Sequence, residues 1–411
     1  MKLSEFKFKM PDSQVPLYPL YNRDDCRLIV LHRKSETIEM YKKDENGKEL
    51  EGEFLTFRNL LDYFEPGDTM IFNDTKVFPA RLYGTKEKTD AKIEVFLLRE
   101  LNEEMRLWDV LVEPARKIRI GNKLFFDETG TMVAEVIDNT TSRGRTLRFL
   151  YDCPHDEFIK ELYALGEAPL PHYIIDQKLN FWVKKEDYED IITYRDVTPD
   201  DGKPKLDEGD NEEEWIHITG PRKATQYDIE SFQTVYAENE GAVTAPFTGL
   251  HFTDIMLKMM DLKDINKAFI TMHCSLGTFN TIDVEDLTKH KMESEQIFIP
   301  AEACRIVNET KQQGHRVCCV GISTLRATES AVGTDGMLKE FTGWTNRFIY
   351  PPYDFGLANC LLTNLYTPES TLMIAGSAFG GYELVDKAYN MASANGYKFG
   401  CYGDAMLILD D

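Results

Sequence analysis

The spacing of apolar residues changes near Pro154, and this change restricts the fold more than any other feature of the sequence. From about Cys26 to Leu150, short segments alternate apolar and polar residues and are separated by turns that contain Gly or Asn. Alternation of this kind is typical of strands with one buried face. Several short strands in succession predict a small β-barrel.

After this point, helical segments alternate with apolar strands. The clearest strands cover 267–273, 316–322 and 358–365, and a helix begins near Pro300 and ends before Gly314. Proline near the start and glycine just past the end are typical of helix boundaries. Strands that alternate with helices predict a mainly parallel sheet with flanking helices. We therefore expect the α/β class, with a larger α/β domain of this kind and a small β-barrel domain.

The formal net charge of −23 on 411 residues disfavours simple attraction to the phosphates of nucleic acid. Part of the acidic excess lies in residues 176–230, which hold 16 Asp and Glu against 8 Lys and Arg. We interpret that segment as an exposed loop or insertion without a catalytic role. An RNA contact must therefore use a local basic patch, and the densest one is residues 116–123. A solvated edge between a strand and a loop is the alternative interpretation of that run.

The sequence predicts neither a metal site nor a membrane segment. Its eight cysteines include no Cys-x-x-Cys pair and have no His at zinc-ligand spacing. We interpret them as reduced thiols that pack as small apolar side chains, and only Cys274 falls within a candidate site. No stretch of about 18 apolar residues is present, and the N-terminal segment lacks a signal-peptide core, so we expect a cytoplasmic protein.

Polar residues follow three predicted strands, at the sheet edge where ligands bind in open α/β folds. These residues are His273, Gly277, Thr278 and Phe279 after the first strand, Ser323, Thr324 and Arg326 after the second, and Asn364 and Tyr366 after the third. Two further segments supply Thr244, Pro246, Gly249 and His251, and Asn73, Asp74, Thr75 and Arg81. For the Asn-Asp pair, a turn with an Asx hydrogen bond is the alternative.

Arg326 is the most informative of these residues. A cation in the first turn of a helix opposes the helix dipole at a cost of about 0.3 to 1 kcal/mol. We therefore expect Arg326 to bind an anion, which is either a ligand carboxylate or phosphate or a neighbouring acid. An intrahelical pair with Glu329 is the alternative. His251 and His273 each fit a general base, and each also fits a buried, hydrogen-bonded core histidine.

The common phosphate-binding, dinucleotide-binding, zinc-protease and hydrolase motifs are absent from the sequence. Several stretches together nevertheless resemble the S-adenosylmethionine:tRNA ribosyltransferase-isomerase family, and they occur in the family's order along nearly the whole chain. They are FNDTKVFPARL (72–82), KIEVFLL (92–98), GEAPLPHYI (166–174), FQTVYAENEGAVTAP (232–246), GLHF (249–252), GTF (277–279), STLRATESA (323–331), PESTLMIAGSAFGGY (368–382) and YGDAMLIL (402–409).

The resemblance implies a β-barrel domain of residues 77–160 inserted into a discontinuous α/β catalytic domain of residues 1–76 and 161–411. It also implies transfer and isomerisation of the ribosyl part of S-adenosylmethionine onto 7-aminomethyl-7-deazaguanine at the tRNA wobble position, which gives epoxyqueuosine, adenine and methionine. No metal and no cofactor beyond S-adenosylmethionine as a substrate is implied. The implied partners are S-adenosylmethionine and tRNA with a queuosine-family anticodon, and we expect a monomer without membrane contact.

The resemblance also implies roles for the candidate residues. A base must remove a proton next to the sulfonium, and we assign this role to His251 or His273. Arg326 would bind the methionine carboxylate, and Asp74 or Glu329 the substrate amine. An aromatic ring would face the sulfonium, where a cation over a ring gains about 0.5 to 2 kcal/mol, and the candidates are Phe279, Tyr350 and Tyr353. We interpret the remaining residues as substrate-binding and expect all of them to line a single pocket.

A few residues inside the proposed cleft differ from the family pattern. They are Phe247 and Thr248 in place of a Thr-Ala pair, Ser275 in place of glycine, Ile322 in place of threonine, and Glu293 and Tyr366 in place of histidine. These differences leave two alternatives to the implied activity. One is a non-catalytic relative that binds S-adenosylmethionine or RNA, and the other is a transferase that acts on a different nucleobase.

Overall fold

A nine-stranded sheet and a closed six-stranded barrel organise the chain. The computed structural model describes residues 1–184, 215–275 and 282–411. The described strands are β1 (Leu28–His32), β2 (Thr37–Glu39), β3 (Tyr41–Lys43), β4 (Glu49–Phe54), β5 (Thr69–Asn73), β6 (Thr75–Val77), β7 (Arg81–Lys86), β8 (Lys92–Asn102), β9 (Leu107–Glu113), β10 (Lys123–Phe125), β11 (Val133–Asn139), β12 (Gly144–Leu150), β13 (Lys178–Lys184), β14 (Trp215–Pro221), β15 (Asn239–Ala242), β16 (Asn266–Met272), β17 (Glu295–Ile299), β18 (Val317–Val320), β19 (Phe341–Thr345), β20 (Cys360–Asn364) and β21 (Ala405–Leu409).

Helices of two kinds connect these strands. The described α-helices are α1 (His155–Leu165), α2 (His172–Ile175), α3 (Gln226–Ser231), α4 (Asp254–Leu262), α5 (Ala301–Gln312), α6 (Gly321–Ala331), α7 (Thr371–Gly380) and α8 (Tyr382–Ala394). The described 3₁₀ helices are Leu3–Phe6, Asp12–Gln14, Arg23–Asp25, Phe57–Tyr63, Ala115–Lys117, Phe247–His251 and Leu287–Lys289. None of the helices in the described part of the chain has the length and apolar character needed to span a bilayer.

The large sheet has the strand order β19-β17-β16-β5-β18-β20-β21-β1-β2. Its inner pairs β16–β5, β5–β18 and β18–β20 are parallel, as is β21–β1. The other four pairs are antiparallel, so the sheet is mixed. Every residue of β5, β18, β20 and β21 is buried, because helices cover the centre of the sheet on both faces. The predicted α/β class is confirmed.

The barrel closes in the order β10-β11-β12-β9-β8-β7, with antiparallel neighbours throughout. Apolar residues alternate into its interior, and Trp108, Val110, Leu147 and Phe149 are among the side chains that fill it. The predicted small barrel is therefore confirmed, and its strands span residues 81–150, inside the predicted insertion of 77–160. The strands between about Cys26 and Val77, which the spacing grouped with the barrel, lie outside it, and β1, β2 and β5 belong to the large sheet.

The junction between barrel and sheet is held by contacts on both sides of the barrel. Where the chain enters the barrel, Phe78 stacks on Tyr163 of α1 with ring centroids 5.5 Å apart. The hydroxyl of Tyr163 donates to Glu240 of β15 at 2.9 Å. β15 pairs in parallel with β6, which leads into the barrel. These contacts fix the wall of the cleft described below.

Two expectations about local structure were wrong. Helix α6 begins at Gly321, immediately after β18, because glycine adopts the positive φ of 88° that this tight connection requires. Arg326 therefore lies in the second turn of the helix and not in the first. The segment 176–230 is also more than an exposed loop. β13 and β14 form a two-stranded ribbon, and the fully buried pair Arg222 and Asp228 follows it, whereas residues 185–214 lie outside the described part of the chain.

Candidate active site

A cavity of about 750 Å³ lies between the barrel, α1 and one edge of the large sheet. This volume falls in the range of pockets that hold nucleoside-sized ligands. The barrel contributes Leu98, Arg99, Glu100, Trp108, Asp109, Leu111, Thr140, Thr141 and Gly144, and α1 contributes His155, Asp156, Ile159 and Tyr163. The sheet side contributes Glu240, Gly241, His273, Cys274, Ser275, Glu293, Ser294, Glu295, Gln296 and Trp344. We call this cavity the cleft.

His273 lies on the sheet wall of the cleft, directly after the last residue of β16. Its Nδ1 is 2.9 Å from the hydroxyl oxygen of Thr75, and its ring meets Phe298 edge-on at 5.9 Å. Burial lowers the pKa of His273 below its ordinary value, so the imidazole is neutral at neutral pH. A neutral imidazole in a cavity wall has the properties of a general base.

The surroundings of His273 determine which ring nitrogen faces outward. The Thr75 hydroxyl also lies 3.4 Å from the backbone oxygen of Asn239, to which it can only donate. A hydroxyl that donates to Asn239 accepts from Nδ1–H of His273, and in that tautomer the lone pair lies on Nε2. A Cβ at Gly241 would lie 2.8 Å from Nε2, so glycine is required for the ring to occupy this position.

Asn73 and Asp74 fix the strand ends beneath His273. The Asn73 amide donates to the backbone oxygen of Met272 at 2.9 Å and accepts from the backbone amides of Met272 at 2.9 Å and Thr75 at 3.2 Å. Asp74 accepts from the Thr271 hydroxyl at 2.6 Å. Asp74 also lines a second cavity, of about 690 Å³, that has His273 in its wall as well. The two residues thus fix the strand ends next to the histidine.

Arg326 pairs with Glu295 of β17, a residue that the sequence analysis missed. Glu295 is buried, receives a hydrogen bond from Arg326 Nη1, and accepts from the backbone amide of Ser275 at 2.7 Å. Arg326 Nε donates to the backbone oxygen of Arg347 at 2.9 Å, while Nη2 has no partner among the described residues. The neighbouring acid is therefore Glu295, and Glu329 does not pair with Arg326. The sequence did contain a signal for Glu295, since an acidic residue at the start of the otherwise largely apolar segment EQIFI indicates a buried charge that needs a partner.

A small cavity of about 20 Å³ adjoins this ion pair. Pro246, Ser323, Arg326 and Tyr366 are among its lining residues, and it shares Cys274 and Glu295 with the cleft. Burial raises the pKa of the Cys274 thiol to about 12, so this residue is not a nucleophile at neutral pH.

His251 faces a different place in the fold. It lines a separate cavity of about 20 Å³ with Arg23 and Tyr402, and its Nε2 lies 3.2 Å from Asn364 Oδ1. Asn364 in turn donates to the backbone oxygens of Gly400 and Cys401. The expectation of one shared pocket is therefore wrong, because the 3₁₀ helix Phe247–His251 packs beside β20 and His251 lines a separate cavity.

Several other predicted residues have structural partners. Glu329 accepts from the backbone amides of Gly356 and Leu357 and from the Tyr353 hydroxyl, and burial raises its pKa. Glu329 thereby fixes the segment that follows Tyr353. Glu329 does not line the cleft. Tyr350 packs against Phe348 at 5.2 Å.

Several residues that were predicted to bind substrate are buried and make structural contacts instead. Arg81 pairs with Glu94 inside the barrel wall and donates to the backbone oxygen of Leu170 at 3.0 Å. Thr324 hydrogen-bonds backward within its own helix, Thr244 is fully buried, and a Cβ at Gly249 would collide with the Tyr236 hydroxyl. Gly277, Thr278 and Phe279 lie outside the described residues.

The residues that differ from the family pattern fall into two places. Ser275 and Glu293 line the cleft, whereas Phe247, Ile322 and Tyr366 line the small cavity beside Arg326. The rings of Phe247 and Tyr366 are 6.3 Å apart, and the Tyr366 hydroxyl is 3.5 Å from that of Thr248. The differences therefore concern the surroundings of the site more than the contact between His273 and Thr75.

The barrel side of the cleft was not predicted. Arg99 of β8 lies over the ring of Trp344 of β19, 4.8 Å from its centroid, and so joins the barrel to the edge of the large sheet. Barrel residues reach the cleft only because the barrel folds back on the sheet, so nothing in their local spacing indicates it. In the described part of the chain, no group of three or more His, Cys, Asp and Glu side chains is arranged to hold a metal ion.

Comparisons with known proteins agree along the whole chain. A family model described as a queuosine biosynthesis protein matches residues 3–198 and 210–408. The S-adenosylmethionine:tRNA ribosyltransferase-isomerases of Phocaeicola vulgatus and Flavobacterium psychrophilum are 54% and 49% identical to this chain, and each alignment covers 100% of both sequences. A crystal structure of the S-adenosylmethionine tRNA ribosyltransferase from Thermotoga maritima is 26% identical, covers 98% of this chain and 100% of its own, and has a TM-score of 0.48. On the family model and these full-length relatives, the chain belongs to the queuosine biosynthesis protein family.

Proposed function

We propose that the chain moves the ribosyl part of S-adenosylmethionine onto the aminomethyl group of 7-aminomethyl-7-deazaguanine at the tRNA wobble position and isomerises it. The products are epoxyqueuosine in tRNA, adenine and methionine. The full-length relatives named as S-adenosylmethionine:tRNA ribosyltransferase-isomerases support this assignment. The proposal includes no cofactor beyond S-adenosylmethionine as a substrate.

The single observation that carries the proposal is a neutral histidine in the wall of a cleft of about 750 Å³. The sulfonium of S-adenosylmethionine acidifies the adjacent ribose carbon, so a positioned base can remove a proton there and start the loss of adenine. His273 offers the lone pair of Nε2 for this step, because Thr75 occupies Nδ1. Between the two predicted bases, the geometry favours His273 over His251.

The ion pair beside the cleft supports a role in holding the methionine part. Glu295 neutralises Arg326 and occupies its Nη1. A ligand carboxylate could therefore accept only from the N–H groups of Nη2, which has no partner among the described residues. The cavity that Arg326 lines measures about 20 Å³, so a carboxylate binds there only if a lining side chain such as Phe247 or Tyr366 moves. With that movement of a side chain, Arg326 remains the proposed ligand of the methionine carboxylate.

Of the two predicted ligands for the substrate amine, Asp74 is favoured. Asp74 lines the second cavity, of about 690 Å³, which also has His273 in its wall. The carboxylate of Glu329 is instead occupied by backbone amides of the segment that contains Gly356. A carboxylate near the base orients an amine by a charge-assisted hydrogen bond.

The test is adenine release from S-adenosylmethionine, measured with a queuosine-family tRNA that carries the deazaguanine precursor. Mass spectrometry of the digested tRNA identifies the modified nucleoside. Active protein gives adenine and epoxyqueuosine, and it gives neither with tRNA that lacks the precursor. His273→Gln is expected to lose about 10²-fold or more in turnover, the usual contribution of a general base.

Two outcomes would replace the proposal with an alternative. Binding of S-adenosylmethionine without adenine release in the presence of this tRNA would identify a non-catalytic relative. Adenine release with a different nucleoside product would identify a transferase for another base, and Phe247 and Tyr366 would then be the first residues to exchange.

A further inference from the structure

We propose that the barrel carries the tRNA-binding surface. The surface consists of the five cations Lys86, Arg116, Lys117, Arg119 and Lys123, which we call the basic patch. It would bind phosphates of the anticodon arm while the wobble nucleotide enters the cleft. The inference rests on the proposed function and adds to it the surface that recognises the RNA.

The distribution of charge points to the barrel. The barrel residues 81–150 carry 13 Lys and Arg against 12 Asp and Glu, although the whole chain has a net charge of −23. The acidic excess therefore lies outside the barrel and repels RNA from the rest of the surface. RNA phosphates bind where cations are clustered, so the barrel is the favoured contact.

The cations of the basic patch are available to a ligand. Arg116, Lys117, Arg119 and Lys123 are exposed, and none of them forms an ion pair with a described residue. The ammonium of Lys86 donates to the backbone oxygen of Lys117 at 2.8 Å, which brings a fifth positive charge to the same loop. Five cations within one surface match the repeated charge of a phosphate backbone.

A buried cation connects this surface to the cleft. Arg145 is 6% exposed, and its guanidinium donates only to backbone oxygens, those of Ala115, Ile118, Thr141 and Gly144. No carboxylate of a described residue forms an ion pair with it, so its charge adds to the positive potential of the loop. Thr141 and Gly144 also line the cleft. The same guanidinium therefore joins the base of the patch to the cleft wall.

Hydrogen bonds hold the loop of the basic patch against the barrel. The side chain of Asn122 accepts from the backbone amide of Arg119 at 3.0 Å, and the backbone amide of Gly121 donates to the oxygen of Val136 at 2.8 Å. Ile120 at the tip is 54% exposed. Cations beside an exposed apolar side chain fit single-stranded RNA, where phosphates and unstacked bases lie side by side.

The acids near the patch decide which of its cations matter most. Glu135 lies opposite Lys123 in the β10–β11 register and offsets part of its charge. Lys86 is half-buried and engaged with a backbone oxygen. The three remaining cations, Arg116, Lys117 and Arg119, are therefore expected to make most of the phosphate contacts.

The test compares two triple variants that change the net charge equally. The patch variant combines Arg116→Gln, Lys117→Gln and Arg119→Gln. The control variant combines Lys9→Gln, Lys258→Gln and Lys387→Gln, three exposed lysines of the α/β domain that form no ion pair with a described residue. Binding of a fluorescent queuosine-family tRNA is followed by anisotropy between about 50 and 200 mM KCl, without S-adenosylmethionine.

In the patch variant we expect a Kd about 10-fold higher and a slope of log K against log salt that is smaller in magnitude by about 2 to 3. The control variant is expected to bind like the wild type. KM for tRNA should rise in the patch variant while kcat at saturating tRNA is retained, and calorimetry should show unchanged S-adenosylmethionine affinity.

Equal weakening in both variants would overturn the inference, because net charge alone would then explain it. Unchanged binding in the patch variant would overturn it as well. Neither result bears on the proposed function, which is read from adenine release by the wild type. If the wild type releases no adenine but binds tRNA in a manner that depends on the basic patch, the proposed function is rejected and the proposed tRNA-binding surface is retained.

Discussion

The hydroxyl of Thr75 lies 2.9 Å from Nδ1 of His273 and connects the start of β6 to the end of β16. Because the hydroxyl also reaches the backbone oxygen of Asn239, it orients the imidazole and favours the tautomer with the proton on Nδ1. The base of the proposed reaction is thus positioned by a residue that makes no contact with the substrate in the proposal.

Replacing Thr75 by Val removes the hydrogen-bond acceptor at nearly constant volume. We expect kcat/KM to fall about 10-fold, since a single hydrogen bond contributes about 1 kcal/mol and the imidazole is then free to rotate. Thr75→Ser keeps the hydroxyl and should retain most of the activity. A valine variant with unchanged kcat/KM and an unchanged pH profile would show that the contact has no positioning role.

The pH profile follows from the state of His273. Burial lowers its pKa, so the neutral base predominates at neutral pH, and kcat/KM should fall only when the pH drops through that lowered pKa, below about 6.5. The acid limb is measured from steady-state rates between about pH 5 and 8, the range in which histidine titrates. A limb centred above the ordinary histidine pKa would contradict the assignment of the base.

Gly241→Ala should disable His273 without touching it chemically. The new Cβ would lie 2.8 Å from Nε2, and we expect a loss of about 10²-fold in kcat/KM because a displaced catalytic group costs about that much. Gly52→Ala is the matched control, since Gly52 has a φ of 81° with nothing within 4 Å of the added Cβ. The control should cost about 1 kcal/mol of stability and no activity. Full activity in Gly241→Ala would place the base elsewhere.

Arg326→Ala should destabilise the protein by about 3 to 5 kcal/mol, because it leaves the buried carboxylate of Glu295 without its partner. Urea unfolding measures this loss, and combining Arg326→Met with Glu295→Gln should recover a large part of it. Calorimetry with S-adenosylmethionine is then informative in the stable double variant. Sharply weakened binding supports the carboxylate contact, and unchanged affinity would remove Arg326 from the site.

Thiol accessibility tests the packing around the site. All eight cysteines are free, and seven are buried, whereas Cys153 is partly exposed. We expect one thiol to react with a disulfide reagent in the native protein and eight to react in denaturant, because burial raises the pKa of thiols such as Cys274. Rapid native labelling of Cys274 would show that the cleft wall opens.

Residue spacing predicted the elements that depend on local pattern. The buried apolar run of residues 317–320 became a central strand, and the alternating segments of 81–150 became the barrel. Residues 28–32 and 69–73, which the spacing grouped with the barrel strands, instead became strands of the large sheet. The start of α6 was predicted too late, because Gly321 allows the helix to follow β18 without a loop. A glycine of this kind looks like any other turn residue in a sequence.

Prediction of the site was weaker, since side-chain direction depends on packing between distant elements. Sequence placed His251 and His273 on equal terms, and only the packing of the 3₁₀ helix Phe247–His251 beside β20 separated them. Glu295 was overlooked because its partner Arg326 is 31 positions away in the chain. The barrel wall of the cleft, including Arg99, has no sequence signal for its position.

The sequence by itself determined the two kinds of β-structure, the family motifs and the strand end at which His273 lies, because periodicity and short motifs are local properties. Tertiary structure alone decided that the barrel meets the sheet at a cleft, that Arg326 is neutralised by Glu295, and that Thr75 orients His273. These are contacts between residues far apart in the chain, and they form only when burial of apolar surface brings the elements together.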